Sequence, residues 1–175
     1  MITKTINLYS LDELSEKAKE KAHDDYLEML DFPLLSEEMT DRLEILLLEK
    51  GIKWQEIKEK TGIWKNRKVH YSLSHSQGDG TMFTGRFYWK DKTITISHSG
   101  HYYHSYSKNI YIEDEEGNLI DDENDEFEKI YQSICKELEN IGYSHIESET
   151  SFETFKENSE LNGWTYREDG TSESL

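Results

Sequence analysis

The chain of 175 residues carries 37 Asp and Glu against 20 Lys and Arg, giving a formal net charge of −17 with 34% hydrophobic residues. That length predicts one domain spanning residues 1–175, and that charge argues against binding bare nucleic acid or anionic lipid and favours a basic partner. The longest apolar run, residues 45–48, falls far short of the roughly 20 needed to span a bilayer. No charged-then-apolar leader follows Met1, so a cytoplasmic protein is expected. Cys135 has no second cysteine, which excludes a disulfide framework and a cysteine-based zinc site.

The first part, residues 1–68, reads as helical. Ser10 and Glu13 form a Ser-x-x-Glu capping box, and Leu11, Leu14, Ala18, Ala22, Tyr26 and Met29 recur at helical spacing, which predicts a helix over about 11–30. It ends near Asp31, because Pro33 disfavours helical geometry at Phe32. A second helix is expected after the cap candidate Ser36, carrying Met39, Leu43, Leu46 and Leu47 and stopping before Gly51. A short helical turn over 54–60, ended by Gly62, completes this part.

Residues 69–112 change period from about 3.6 to 2. Val69, Tyr71 and Leu73 alternate with polar residues, followed by Phe83, Gly85, Phe87 and Trp89, then Ile94 and Ile96, then Tyr106, Lys108, Ile110 and Ile112. The connections Gln77-Gly78-Asp79-Gly80, Lys90-Asp91-Lys92 and Ser99-Gly100 carry turn chemistry, so the stretch predicts a four-strand antiparallel meander. Asp79 is expected to accept hydrogen bonds from the backbone of its own turn.

In residues 113–175, Phe127, Ile130, Tyr131, Ile134, Leu138 and Ile141 form an apolar stripe with Gly142 as its C-cap candidate, and Cys135 beside the stripe reads as a packed, unreactive thiol. A shorter helical stretch over 151–157 and a closing strand around Gly163, Trp164 and Tyr166 finish the chain. Helices at both ends of an antiparallel sheet, packed on it, make the expected fold α+β.

The charge is unevenly spread. Residues 113–175 hold 4 basic and 20 acidic side chains, and ten of the acids fall in the sixteen positions 113–128. Glu113, Asp114, Glu115, Glu116, Asp121, Asp122, Glu123, Asp125 and Glu126 are therefore the candidate residues for docking on a basic partner. A simpler account is that they form a solvated loop suited to the positive N-terminus of the following helix.

Five of the seven histidines, His70, His75, His98, His101 and His104, lie within residues 70–104. Their spacing matches no zinc motif. His75, His98, His101 and His104 around Asp79 would suit a His-dependent or metal-dependent hydrolase acting on RNA or a nucleotide, since a neutral imidazole exchanges a proton near pH 7 and also ligates metals. The bland reading makes them half-buried strand residues on a Tyr- and Ser-rich face. Six tyrosines on or beside the sheet, Tyr71, Tyr88, Tyr102, Tyr103, Tyr106 and Tyr111, serve either packing or base stacking. The Gln77-Gly78-Asp79-Gly80 turn is too short for a phosphate-binding loop and leads into a strand. No catalytic residue, metal or cofactor is assigned.

The stretch Tyr71-Ser-Leu-Ser-His-Ser-Gln-Gly-Asp-Gly-Thr-Met-Phe-Thr-Gly85 resembles the Ser-Gln-Gly-Asp-Gly-Ala-Ser/Cys-Phe-x-Gly signature of a family of small phage and prophage proteins. The opening from Tyr9 to Ala22, the segment Ser99-Gly-His-Tyr-Tyr-His104, Glu157-Asn158, and the ending Asn162-Gly-Trp-Thr-Tyr-Arg-Glu-Asp-Gly170 look like that family too, while Thr81 and Met82 depart from it. The resemblance implies a mobile-element protein, and relatives that act as anti-CRISPR inhibitors of the type II effector nuclease imply an inhibitor of an RNA-guided nuclease in the bacterial cytoplasm. It leaves Gln77, Gly78, Asp79, Gly80, His98, His101 and His104 as motif residues without an assigned role. An antitoxin-like module would share the acidic docking logic with a different partner, and nucleic acid would be met only through that partner.

Overall fold

The computed structural model describes residues 6–55, 57–59, 62–64, 68–120 and 124–173. The fold is α+β, and the chain divides into two compact units, residues 33–143 and residues 1–32 with 144–175. No helix among the described residues is long and apolar enough to cross a membrane.

The unit of residues 33–143 contains helix α2 (Leu35–Glu49), strands β1 (Lys53–Trp54), β2 (Ile57–Glu59), β3 (Gly62–Trp64), β4 (Lys68–Ser72), β5 (Gly80–Trp89), β6 (Lys92–His98) and β7 (Lys108–Glu113), and most of helix α3 (Asn124–Glu149). All strand pairings are antiparallel: β4 pairs with the first half of β5, β1 and β6 with its second half, and β7 with β6. The four-strand meander is therefore present, with β1 as an extra member.

Alternation along these strands sets the two faces. Phe87, Ile94 and Ile112 lie in register on one face and are buried. Phe127, Tyr131, Ile134 and Leu138 of α3 are buried as well, with the Tyr131 ring 4.6 Å from Phe83 and the Phe127 ring 5.3 Å from Trp89. Each such side chain contributes about 1.5–3 kcal/mol on leaving water. Two buried hydroxyls beneath the helix are satisfied: the Tyr131 hydroxyl donates to the Phe83 carbonyl at 3.2 Å and accepts from its amide at 3.3 Å, and the Thr81 hydroxyl donates to the Cys135 carbonyl at 2.5 Å. Burial pushes the Cys135 thiol up to about 12, which keeps it protonated and inert.

Two expectations fail here. Residues 53–54 and 57–59 are strands, not the helical turn placed at 54–60, because β1 pairs with β5 (Lys53 with Tyr88, Trp54 with Phe87) and β2 with β3. Residues 56 and 60 lie outside the described residues. Gly142 is not a C-cap: α3 runs on to Glu149, and a Cβ at Gly142 would come within 2.4 Å of Leu73 Cδ1. The glycine lets a second element approach the helix.

The other unit is helical. Helix α1 (Glu16–Met29) is capped by Ser15, and the Ser10–Glu13 capping box closes a separate 3-10 turn, Leu11–Glu13, ahead of it. The expected single helix over 11–30 is thus broken at Leu14, whose extended backbone ends the first turn. Helix α4 (Phe152–Asn162) starts at the Ser151 cap and ends at Gly163, longer than the 151–157 expected. Leu11, Ala18, Ala22, Tyr26, Phe155 and Tyr166 share a core, and Tyr166 bridges back to Tyr9. In the first unit, α2 begins at Leu35, one residue before the expected cap Ser36, with no side-chain cap at Leu34.

Candidate functional site

The sheet of residues 33–143 has two polar ends. The β4–β5 connection and the loop after β6 meet at one end; the β5–β6 turn, the turn after β7 and the first turn of α3 meet at the other.

At the first end the motif Gln77-Gly78-Asp79-Gly80 closes β4 onto β5. One Asp79 carboxylate oxygen accepts from the Ser72 hydroxyl at 2.7 Å, and the other accepts from the amides of Ser74 at 2.6 Å and Ser76 at 2.8 Å. The hydroxyls of Ser74 and Ser76 add further donors at 3.1–3.3 Å. Desolvation raises the Asp79 pKa, but these donors outweigh it and hold the carboxyl well below the usual carboxylate range. Asp79 thus fixes its own turn, as expected from the sequence.

The motif glycines are required by close neighbours. Gly78, at φ +92°, lies against Tyr102, whose ring carbon would be 2.6 Å from a Cβ there, and Gly80, at φ +150°, would bring a Cβ within 3.2 Å of the His104 Cα. The Gln77–Gly80 turn and the Ser99–His104 segment, far apart in sequence, therefore form one knot of structure. Its loop is closed by bonds from the Ser107 amide to the His104 carbonyl at 2.8 Å and from the Ser99 amide to the Ser107 carbonyl at 2.9 Å.

The histidines do not converge on Asp79. The ring of His98 stands 5.9 Å from that of His70, and Tyr103 packs on both, at 5.4 Å from His70 and 5.2 Å from His98. His104 sits between Tyr102 and Tyr106 and accepts the Tyr106 amide at 3.2 Å, while His101 is exposed. His75, in a left-handed backbone conformation at φ +58°, stacks on Tyr143 at 4.4 Å. The Tyr143 hydroxyl lies 3.5 Å from Asp79 Oδ2; burial raises its pKa, and the Asp79 charge reinforces the shift. No group of three or more His, Cys, Asp or Glu side chains among the described residues is arranged to hold a metal ion. The arrangement immobilises two loops and presents aromatic rings at the surface.

At the second end the acidic candidates separate by what they touch. Glu113 pairs with Arg86 at 3.2 Å, and Glu126 with Lys90 at 2.7 Å. Asp114 accepts from the amides of Asn118 at 2.7 Å and Glu116 at 3.0 Å, and its hydrogen bonds from Asn118, side chain first and then backbone, lower its pKa. Glu115, Glu116 and Asp125 are exposed, and Asp121, Asp122 and Glu123 lie outside the described residues. Lys90 joins the two sides of this acidic region: it pairs with Glu126 on α3 and, with Asp114 and Glu115, lines a groove of about 620 Å³.

No protein-family model matches the chain, and neither does any curated protein or solved structure. Sequence reasoning missed Tyr143, the Tyr102 and His104 contacts with the motif glycines, and the groove beside Tyr88. The alternating Ser72, Ser74 and Ser76 ahead of Asp79 were the one local signal of the donor set.

Proposed function

We propose that this chain is a phage-type binding protein that inhibits a host defence nuclease, a type II CRISPR effector, by docking its acidic sheet end on the basic surface that the nuclease uses for nucleic acid. The observation that supports this reading is the grouping of Glu115, Glu116 and Asp125 as exposed acids around one end of the sheet, while Glu113, Asp114 and Glu126 hold that end together. Carboxylates presented on an ordered scaffold can stand where nucleic-acid phosphates would lie, and opposite charge speeds the encounter. The reading assigns the chain no turnover of its own; its work is occupancy of a surface.

Tagged protein incubated with guide-loaded type II CRISPR nuclease in bacterial lysate is expected to recover the nuclease at low salt and less of it at moderate salt, since screening lengths shrink to about 10 Å at 0.1 M. The variant Glu115→Lys/Glu116→Lys/Asp125→Lys should lose the nuclease while keeping its fold by circular dichroism. Undiminished capture by that folded variant would sink the docking mode.

A further inference from the structure

The sheet face turned away from α3 is polar and aromatic. The strand register places Arg86, Thr95 and Tyr111 in one row, Tyr88, Thr93 and Glu113 in the next, and Ser97 beside Asn109. Tyr88 and Tyr111 keep 45% and 48% of their surface in solvent. Rigid tyrosines among small hydroxyl and amide side chains have the composition of surfaces that bind proteins, because Tyr supplies large amphipathic area at low entropic cost and Ser, Thr and Asn adapt their hydrogen bonds.

At its acidic end this face opens into the groove of about 620 Å³, lined by Tyr88 and Thr93, by the carboxylates Asp91, Asp114 and Glu115, and by Lys53 and Lys90. Lys90 is already committed: its Nζ pairs with Glu126 and stands 4.5 Å from the Trp89 ring centre. Asp91 and Glu115 against Lys53 leave a small excess of negative charge in the lining beside the Tyr88 ring, while the Asp114 carboxylate is taken up by Asn118 and the Glu116 amide. A guanidinium fits that pair of features, since its plane lies flat on a ring while its parallel N–H groups fork onto a carboxylate, a planar match that a tetrahedral ammonium lacks.

We propose that the face carrying Tyr88 and Tyr111 is the core of a protein-docking surface, and that its groove receives an arginine side chain of a basic protein partner. This deepens the proposed function by naming the anchor. The docking partner places an arginine on Tyr88 between Asp91 and Glu115, and Tyr111 covers the flat part of the contact.

The test has two arms. In the first, the ¹⁵N-labelled full chain is titrated at low salt with hexa-arginine and with hexa-lysine peptides. The amides of Tyr88, Thr93 and Asp114 should shift, with arginine binding several-fold more tightly, and Thr93→Arg, which fills the groove from the protein's own chain, should abolish the shifts. If Thr93→Arg does not fold, Tyr88→Ala takes its place, with at least a threefold loss of affinity expected. Shifts confined to acidic residues elsewhere, equal affinity for the two peptides, or an indifferent folded variant would overturn the groove assignment.

In the second arm, Tyr88→Ala/Tyr111→Ala should weaken binding of the guide-loaded nuclease by roughly tenfold or more, as loss of central aromatic contacts does. Nuclease binding that is unchanged in this variant but lost on charge reversal overturns the face while the inhibitor reading stands. Peptide binding in the groove without nuclease binding by the wild type overturns the inhibitor reading while the groove stands.

Discussion

At one end of the sheet Asp79 is enclosed by the hydroxyls and amides of Ser72, Ser74 and Ser76; at the other, Glu115, Glu116 and Asp125 are exposed, while Glu113 and Glu126 are ion-paired and Asp114 is held by its own turn. The first end is richer in residue types associated with catalysis, having serines, histidines, tyrosines and a carboxylate with a strongly lowered pKa. Its polar atoms are nevertheless directed at one another. At the second end Glu115, Glu116 and Asp125 remain exposed and keep their capacity to meet a partner. What distinguishes a binding surface from a rigid loop is therefore the hydrogen-bonding and charge capacity left over after the fold has used its share.

The largest test of this contrast falls on the knotted end. Gly80→Val forces a β-branched residue to φ +150° and against the His104 main chain, so it should destabilise the protein by about 3 kcal/mol in chemical denaturation, from backbone strain and steric overlap together. Asp79→Ala should cost about 2 kcal/mol, because several donors lose a charged acceptor in a loop that water only partly re-solvates.

The same carboxylate sets a pH dependence. Its folded pKa lies below the unfolded value of about 3.9, so its stabilisation is present above that value and is lost as pH falls toward the folded pKa. The stability gap between wild type and Asp79→Asn should thus narrow below about pH 4, as followed by thermal melts; a gap constant down to pH 2 would contradict the donor arrangement. At the acidic end the effects on stability are small. Lys90→Met removes an exposed ion pair with Glu126 and should cost under about 1 kcal/mol. The triple reversal at Glu115, Glu116 and Asp125 should change stability by no more than about 0.5 kcal/mol, while producing the largest change in binding.

The comparison also shows where local sequence signals stop. The capping box at Ser10, the heptad-like stripe of α3 and the alternation of β5 to β7 were legible because each depends on residues a few positions apart. Residues 54–60 were expected to form a helical turn, yet β1 is held by hydrogen-bonding partners in β5, more than thirty residues away. Gly142 looked like a stop because nothing near it in sequence announces Leu73 as a neighbour. Among the acidic candidates, the excess of negative charge over 113–128 was visible, but the division between tied and projecting carboxylates was not, since Arg86 comes from β5 and Lys90 from the β5–β6 turn.

By itself, then, the sequence determined the α+β class, the meander, the amphipathic helix that covers it, the turn-binding role of Asp79 and the concentration of negative charge, all of which follow from short-range periodicity, capping and composition. Only the tertiary structure decided that the two glycine motifs lock together through Tyr102 and His104, that the histidines pack on tyrosines instead of gathering on Asp79, and that an acidic groove adjoins the open tyrosine face. Those outcomes depend on strand register and loop closure, which bring side chains from distant positions within a few ångströms.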